Sequence, residues 1–217
     1  AVRINDTVFL HGGISGFYCQ NSLASLTEMV LERLRNFDPA NTGILEDEYG
    51  PLWYRGLSGE APEAPVETVD AILARHGIRH IAVGHTPTSG VIWPRYDGKV
   101  VMIDTGISQA YGGYVGYLEI TPDGLFAGYP GGKLPLPSSD DGAIAYLEQV
   151  IQLDPGNRHL QQRLERLRQP PAPAAAEPPQ GAEPPQGAAA DEPAAGAESP
   201  PEEAQVAPSI PVCDLKQ

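Results

Sequence analysis

The apolar positions follow two rhythms. From Thr7 to Leu10 they run together, which predicts a short buried strand ending in His11-Gly12-Gly13. Over 22–35 they recur every three or four residues, at Leu23, Leu26, Val30 and Leu34, and Ser22 stands where a helix N-cap belongs. The next 27 residues, 36–62, sustain neither rhythm, because Pro39, Gly43, Pro51, Gly56, Gly59 and Pro62 interrupt every run. A loop of that length inside a domain is more often functional than idle. Helical spacing returns over 64–76 with Val66, Val69, Ile72 and Leu73 on one face, and Gly77 supplies the stop.

From Ile78 the pattern turns to β. Ile78 to Val83 predicts a strand running into Gly84-His85. Val91 to Tyr96 and Val100 to Asp104 flank Asp97-Gly98, a pair suited to the positive φ angles of a type I′ hairpin turn. Tyr114 to Ile120 and Leu125 to Tyr129 flank Pro122-Asp123-Gly124 as a second hairpin, and Pro94 places its strand at an edge or on a bulge. Helices and strands in this order indicate a layered α/β (α+β) domain. Beyond it, Ile144, Leu147 and Ile151 line one short helix and Leu160, Leu164 and Leu167 another. "AIAYLEQVIQLDPGN" resembles the second helix and turn of a tetratricopeptide unit. A single copy cannot build a solenoid, so the expectation is a helical hairpin on or beside the body.

Composition divides the chain. Residues 170–217 carry eight acidic side chains and one Lys, a net of −7, which is half of the total of −14. They also hold 12 of the 23 prolines and no aromatic residue, and "EPPQGA" occurs twice, so the expectation is a disordered acidic tail. The organisation read from this is a body at 1–135, a helical hairpin at 136–169 and the tail at 170–217. An acidic balance without a Lys/Arg cluster argues against nucleic acid as a partner, and no stretch is apolar enough for a membrane span. Cys19 and Cys213 do not amount to a disulfide framework. A bridge between them is not expected, because it would have to pin the tail, and the redox compartment stays open. The chain starts at Ala1 without an initiator Met and almost at once enters a strand, which reads as a start removed or as a sequence beginning mid-gene.

Three segments carry candidate chemistry: "VFLHGGIS" at 8–15, "GPLWYRG" at 50–56 and "AVGHTPT" at 82–88. The first and third are apolar strands that end in a glycine-flanked histidine. Strand ends in α/β domains open onto ligand crevices, and neutral imidazole is a common metal ligand. A histidine in such a place also serves as a plain hydrogen-bonded turn residue, so each motif alone decides little. Their order, together with "VMIDTGIS" at 101–108, resembles the C-terminal half of a calcineurin-like metallophosphoesterase. The likeness is greatest to the bacterial, Shewanella-like branch of the phosphoprotein phosphatases and covers about residues 1–130.

The resemblance implies a partial metallophosphoesterase β-sandwich flanked by helices. It implies that His11 and His85 ligate one ion of a two-metal centre (Mn2+, Fe or Zn2+) and that Arg55 clamps the substrate phosphate. Pro87 stands where many superfamily members have a second histidine, as the phosphoprotein phosphatase type leads one to expect. The implied activity is hydrolysis of phosphoserine, phosphothreonine or phosphotyrosine in proteins, or of a small phosphomonoester. The alternatives are a dinucleoside-polyphosphate hydrolase and a non-catalytic protein-binding module. The family's G-D-x-H-G, G-D-x-x-D-R-G and G-N-H-E motifs, which supply the other ion's ligands and the acid/base histidine, are missing. The chain by itself is therefore expected to be incomplete as an enzyme, its catalytic residues unknown, and "GNRH" at 156–159 is no substitute. By the resemblance Asp104 and Tyr111 line up with the end of the family's core near the site mouth; neither is assigned a role, turn capping and packing being equal alternatives. His76, His80, His159 and the Glu46-Asp47-Glu48 run receive capping, packing or solvated roles. Trp53, Tyr54 and Trp93 shape a groove or pack. A partner for the tail and a cytoplasmic or periplasmic location cannot be read.

Overall fold

Val2–Ile4 (β1) and Thr7–Leu10 (β2) pair antiparallel about Asn5-Asp6, with Asn5 at φ 55°. The computed structural model describes residues 1–169, Pro211 and Cys213, which belong to one compact unit. β1 has no counterpart in the sequence reading because all of its side chains are exposed and leave no burial pattern. His80–Val83 (β3), Trp93–Arg95 (β4) and Val100–Met102 (β5) complete a five-stranded sheet in the order β1-β2-β3-β5-β4. β2, β3 and β5 run parallel, while the two edge strands are antiparallel to their neighbours. Pro94, which cannot donate to a ladder, lies on edge strand β4.

The helix Leu23–Arg35 (α1) begins where Ser22 accepts from the Ser25 amide at 3.0 Å. Val66–His76 (α2) ends on Gly77 at φ 57°. Val69 and Ile72 of α2 share the core with Val8 of β2 and Ile81 and Val83 of β3. Residues 36–62 stay irregular apart from 3-10 turns at Gly43–Leu45 and Gly56–Ser58. The β4–β5 connection is longer than the Asp-Gly pair implies: Arg95 pairs with Val100, and Tyr96 joins Asp97 and Gly98 at positive φ. Tertiary contact overrides turn propensity there, since the Tyr96 hydroxyl donates toward Gly56 O and Ala64 O at 3.2 and 3.0 Å.

Tyr117–Thr121 (β6), Gly124–Tyr129 (β7) and Gly132–Pro135 (β8) form a second, antiparallel sheet. The last strand is mostly exposed, and its Gly-Lys-Leu-Pro sequence reads as a turn. Ala143–Leu153 (α3) and Arg158–Arg168 (α4) make the helical hairpin. The Tyr146 hydroxyl, buried on α3, donates to Ile92 O at 2.8 Å and lies 2.6 Å from the Tyr129 hydroxyl. The Tyr129 hydroxyl accepts from the Ile92 amide at 3.1 Å. The described residues therefore form a mixed α/β domain of four α-helices and two sheets.

One expectation is overturned. Cys19 and Cys213 form a disulfide across 194 residues of sequence, with Cα atoms 5.9 Å apart. Both are buried, and the Cys213 amide donates to Thr68 Oγ1 of α2 at 3.3 Å. An acidic, proline-rich stretch carries no signal of where its far end docks, so the sequence offered no ground for the pairing. The expected disorder of 170–217 otherwise lies outside the described residues.

Candidate functional site

The parallel register of β2 and β3 sets Leu10 opposite Val83, so His11 and Gly84-His85 leave the same sheet edge side by side. The Gly84 amide donates to His11 O at 2.9 Å. The chain then turns sharply: the Thr86 amide donates to Gly84 O at 2.7 Å across His85, whose φ is 65°. This is the γ-turn with positive φ, a strained conformation for a residue with a Cβ. It brings His85 Nδ1 to 2.8 Å from His11 Nε2, with the ring centroids 4.7 Å apart.

The long irregular loop supplies the third segment. The Gly12 amide donates to Pro51 O at 2.9 Å, and a Cβ at Gly12 would stand 2.9 Å from the Leu52 carbonyl carbon. Glycine is what allows the loop so close. The approach sets Trp53 edge-on to His85, with ring centroids 5.0 Å apart, and the Trp53 indole N–H is tied to Leu45 O at 2.6 Å. The Arg55 guanidinium sits 5.8 Å from the Trp53 ring centroid and pairs with Glu60 at 3.6 Å. A recess of about 110 Å³ beside it is lined by Trp53, Arg55, Glu48, Tyr49 and Glu60. The structure thus brings His11, His85 and Arg55 to one locale, with Trp53 joining His85 to Arg55.

Burial, followed by the charges of Arg55 and His11, holds His85 below its ordinary pKa, which favours neutral imidazole, the form that ligates. His85 Nε2 is buried without a hydrogen-bond partner. In the metal-free chain the 2.8 Å contact is a hydrogen bond between the two rings, and it is close to the roughly 2.9–3.4 Å that separates two nitrogens bound to one ion at about 2.0–2.1 Å. These two donors can fill part of a coordination shell. No group of three or more His, Cys, Asp or Glu placed to hold a metal occurs among the described residues.

The other candidates settle into plainer roles. Asp104 Oδ1 accepts from the Gly106 amide at 3.0 Å, capping a turn, and Tyr111 is exposed on a 3-10 turn. His80 Nδ1 meets Gly98 O at 3.0 Å, and His159 is exposed with its ring against Tyr114. Asp47 accepts from the Tyr18 hydroxyl at 2.5 Å and from the Tyr49 amide at 2.9 Å, a local structural role within the acidic run. Tyr54 and Trp93 are buried, whereas Trp53 is 42% exposed. Sequence reasoning missed Glu60, whose only signal is its place in the same loop as Arg55.

No protein-family model matches the chain. It is 30% identical over 118 residues to an uncharacterized protein of Schizosaccharomyces pombe, covering 52% of this chain and 35% of that protein. Among solved structures, it matches a cold-active protein-tyrosine phosphatase of a psychrophile Shewanella species at 26% identity and a TM-score of 0.50. That match covers 61% of this chain and 41% of the other. A mutant cold-active protein tyrosine phosphatase matches with the same figures. The chain thus spans well under half the length of these proteins, and its fold is phosphatase-like.

Proposed function

We propose that this chain carries the His11–His85 part of a metal centre and the phosphate clamp of a calcineurin-like phosphoric-ester hydrolase, acting on phosphorylated proteins or small phosphomonoesters. The observation that supports it most is the 2.8 Å convergence of His85 Nδ1 and His11 Nε2 beside Arg55. The tyrosine phosphatases with the same fold support phosphotyrosine as the first substrate to try.

Bound divalent ions would make a water nucleophilic near neutral pH and neutralise charge on the phosphoryl oxygens. The chain's own residues do the rest of what can be derived. His85 Nδ1 and His11 Nε2, which share a hydrogen bond at 2.8 Å in the metal-free chain, would give up the proton between them and turn both nitrogens to the ion, and Arg55 offers a planar fork that matches two phosphate oxygens. Glu60 must release Arg55 when phosphate arrives, an exchange that costs little because the pair is exposed. The motifs for a second ion are not in these residues, so the chain alone is expected to bind an ion and phosphate with little turnover.

The test is calorimetric titration and melting of the full chain with Mn2+, then with phosphate. Mn2+ should raise the melting temperature, because an ion that binds only the native state stabilises it. His11→Ala or His85→Ala should abolish that rise, while Arg55→Ala keeps it and loses phosphate binding. Melting indifferent to Mn2+ would sink the reading in favour of a non-catalytic module. Phosphate displaced by a dinucleoside polyphosphate but not by a phosphotyrosine peptide would favour the dinucleotide hydrolase.

A further inference from the structure

The helical hairpin enters none of the chemistry above, yet it reaches the turn that presents His85. Asn157, in the Asp154-Pro155-Gly156-Asn157 link between α3 and α4, is 4% exposed, and its two side-chain functions point opposite ways. Oδ1 accepts from the His159 amide at 3.1 Å and caps α4. Nδ2 donates to Ser89 O at 2.9 Å, across 68 residues of sequence.

Ser89 lies at the far end of the segment that opens with the His85 γ-turn. That segment has positive φ at His85 (65°), Ser89 (59°) and Gly90 (106°), a sequence of angles that relaxes readily unless it is held at both ends. At the near end the Gly84 amide is bonded to His11 O, and toward the far end Thr88 is held by its amide and hydroxyl to Asp104 O at 2.8 and 2.9 Å. One residue further on Asn157 is a second anchor, on Ser89 O, packed so tightly that a Cβ at Gly90 would stand 2.4 Å from its Nδ2.

We propose that Asn157 is a positioning residue for His85: through Ser89, and together with the Thr88 bonds to Asp104, it fixes the strained turn that keeps Nδ1 facing His11. This rests on the reading of His85 as a metal ligand, but the geometry it predicts is present without metal.

Two replacements keep the α4 cap and lose the reach or the donor: Asn157→Ser and Asn157→Asp. Leu164→Ala, which thins the hairpin's packing without touching the loop, controls for general loosening. The first readout is the imidazole 15N spectrum of the metal-free full chain at one fixed pH, which reports the His85–His11 contact. The second is Mn2+ affinity by titration calorimetry.

Both Asn157 variants should melt cooperatively, shift the His85 and His11 ring signals and weaken Mn2+ binding by roughly tenfold. Leu164→Ala should lower the melting temperature while leaving the ring signals unchanged. Ring signals identical to the parent in both Asn157 variants overturn the proposal, as does an equal shift in Leu164→Ala. If the parent binds no Mn2+, the reading of the metal site fails, and the ring spectra still decide the role of Asn157.

Discussion

At the scale of single residues the site is held by departures from ordinary backbone. His85 occupies a left-handed conformation that costs about 1–3 kcal/mol for a residue with a side chain, and it gains the 2.8 Å approach to His11. Gly12 is the complementary case, since its missing Cβ lets the Arg55 loop lie against the end of β2. Gly12→Ala should therefore destabilise by about 1–3 kcal/mol in denaturant unfolding and weaken phosphate binding with it; an unchanged midpoint would show that the loop yields freely. His76 supplies a pH test away from the site. Burial, then Arg75 and Arg3, lowers its pKa, and its Nε2 is buried without a partner. Below about pH 6.5 the unfolded chain takes up a proton that the folded chain refuses. Stability is thus full above that pH and is lost as pH falls through the lower folded value. His76→Gln should flatten part of the fall in melting temperature between neutral and mildly acidic pH, and a slope identical to the parent would exclude His76 as its source.

At the scale of elements, what could be read in the sequence was what burial had written locally. The apolar run of β2, the three-four spacing of α1 and α2 with Ser22 and Gly77 as caps, and the hairpin partners each bury a patterned face or carry turn chemistry. β1 and β8 left no pattern because they are mostly exposed. The site motifs were legible as residue types at strand ends, and the parallel register accounts for why strand ends far apart in sequence meet. Trp53 as the link to Arg55, Glu60 as its partner and Asn157 as an anchor depend on tertiary approach, for which no spacing rule exists. The same holds where α3 meets the sheets. Ile92 exchanges both backbone groups with tyrosine hydroxyls, its amide donating to Tyr129 and its carbonyl accepting from Tyr146. Tyr146→Phe leaves Ile92 O and the Tyr129 hydroxyl without that partner inside the core, for an expected loss of about 1–3 kcal/mol. A chemical-denaturation midpoint equal to that of the parent would mean that water enters and replaces the bond.

At the scale of the whole molecule the disulfide changes what the C-terminal sequence is. Cys213, in a segment with the composition of a free tail, is bonded to Cys19, in a turn eight residues after His11, and its amide donates to Thr68 Oγ1 of α2. Closing a loop of 194 residues removes unfolded-chain entropy worth about 5 kcal/mol on the chain-entropy account. Reduction should accordingly lower the melting temperature by about 10–20 °C, and Cys213→Ser should melt like the reduced parent in either redox state. Gel mobility and free-thiol titration of protein made in an oxidising compartment provide the direct check, because such bonds persist there and are rare in a reducing cytosol. Two free thiols in that material, or a parent whose melting ignores reductant, would remove the bridge and return the segment to the free tail that its composition describes. If the bridge holds, Cys19→Ser and Cys213→Ser should lower the melting temperature alike, because each removes the same bond.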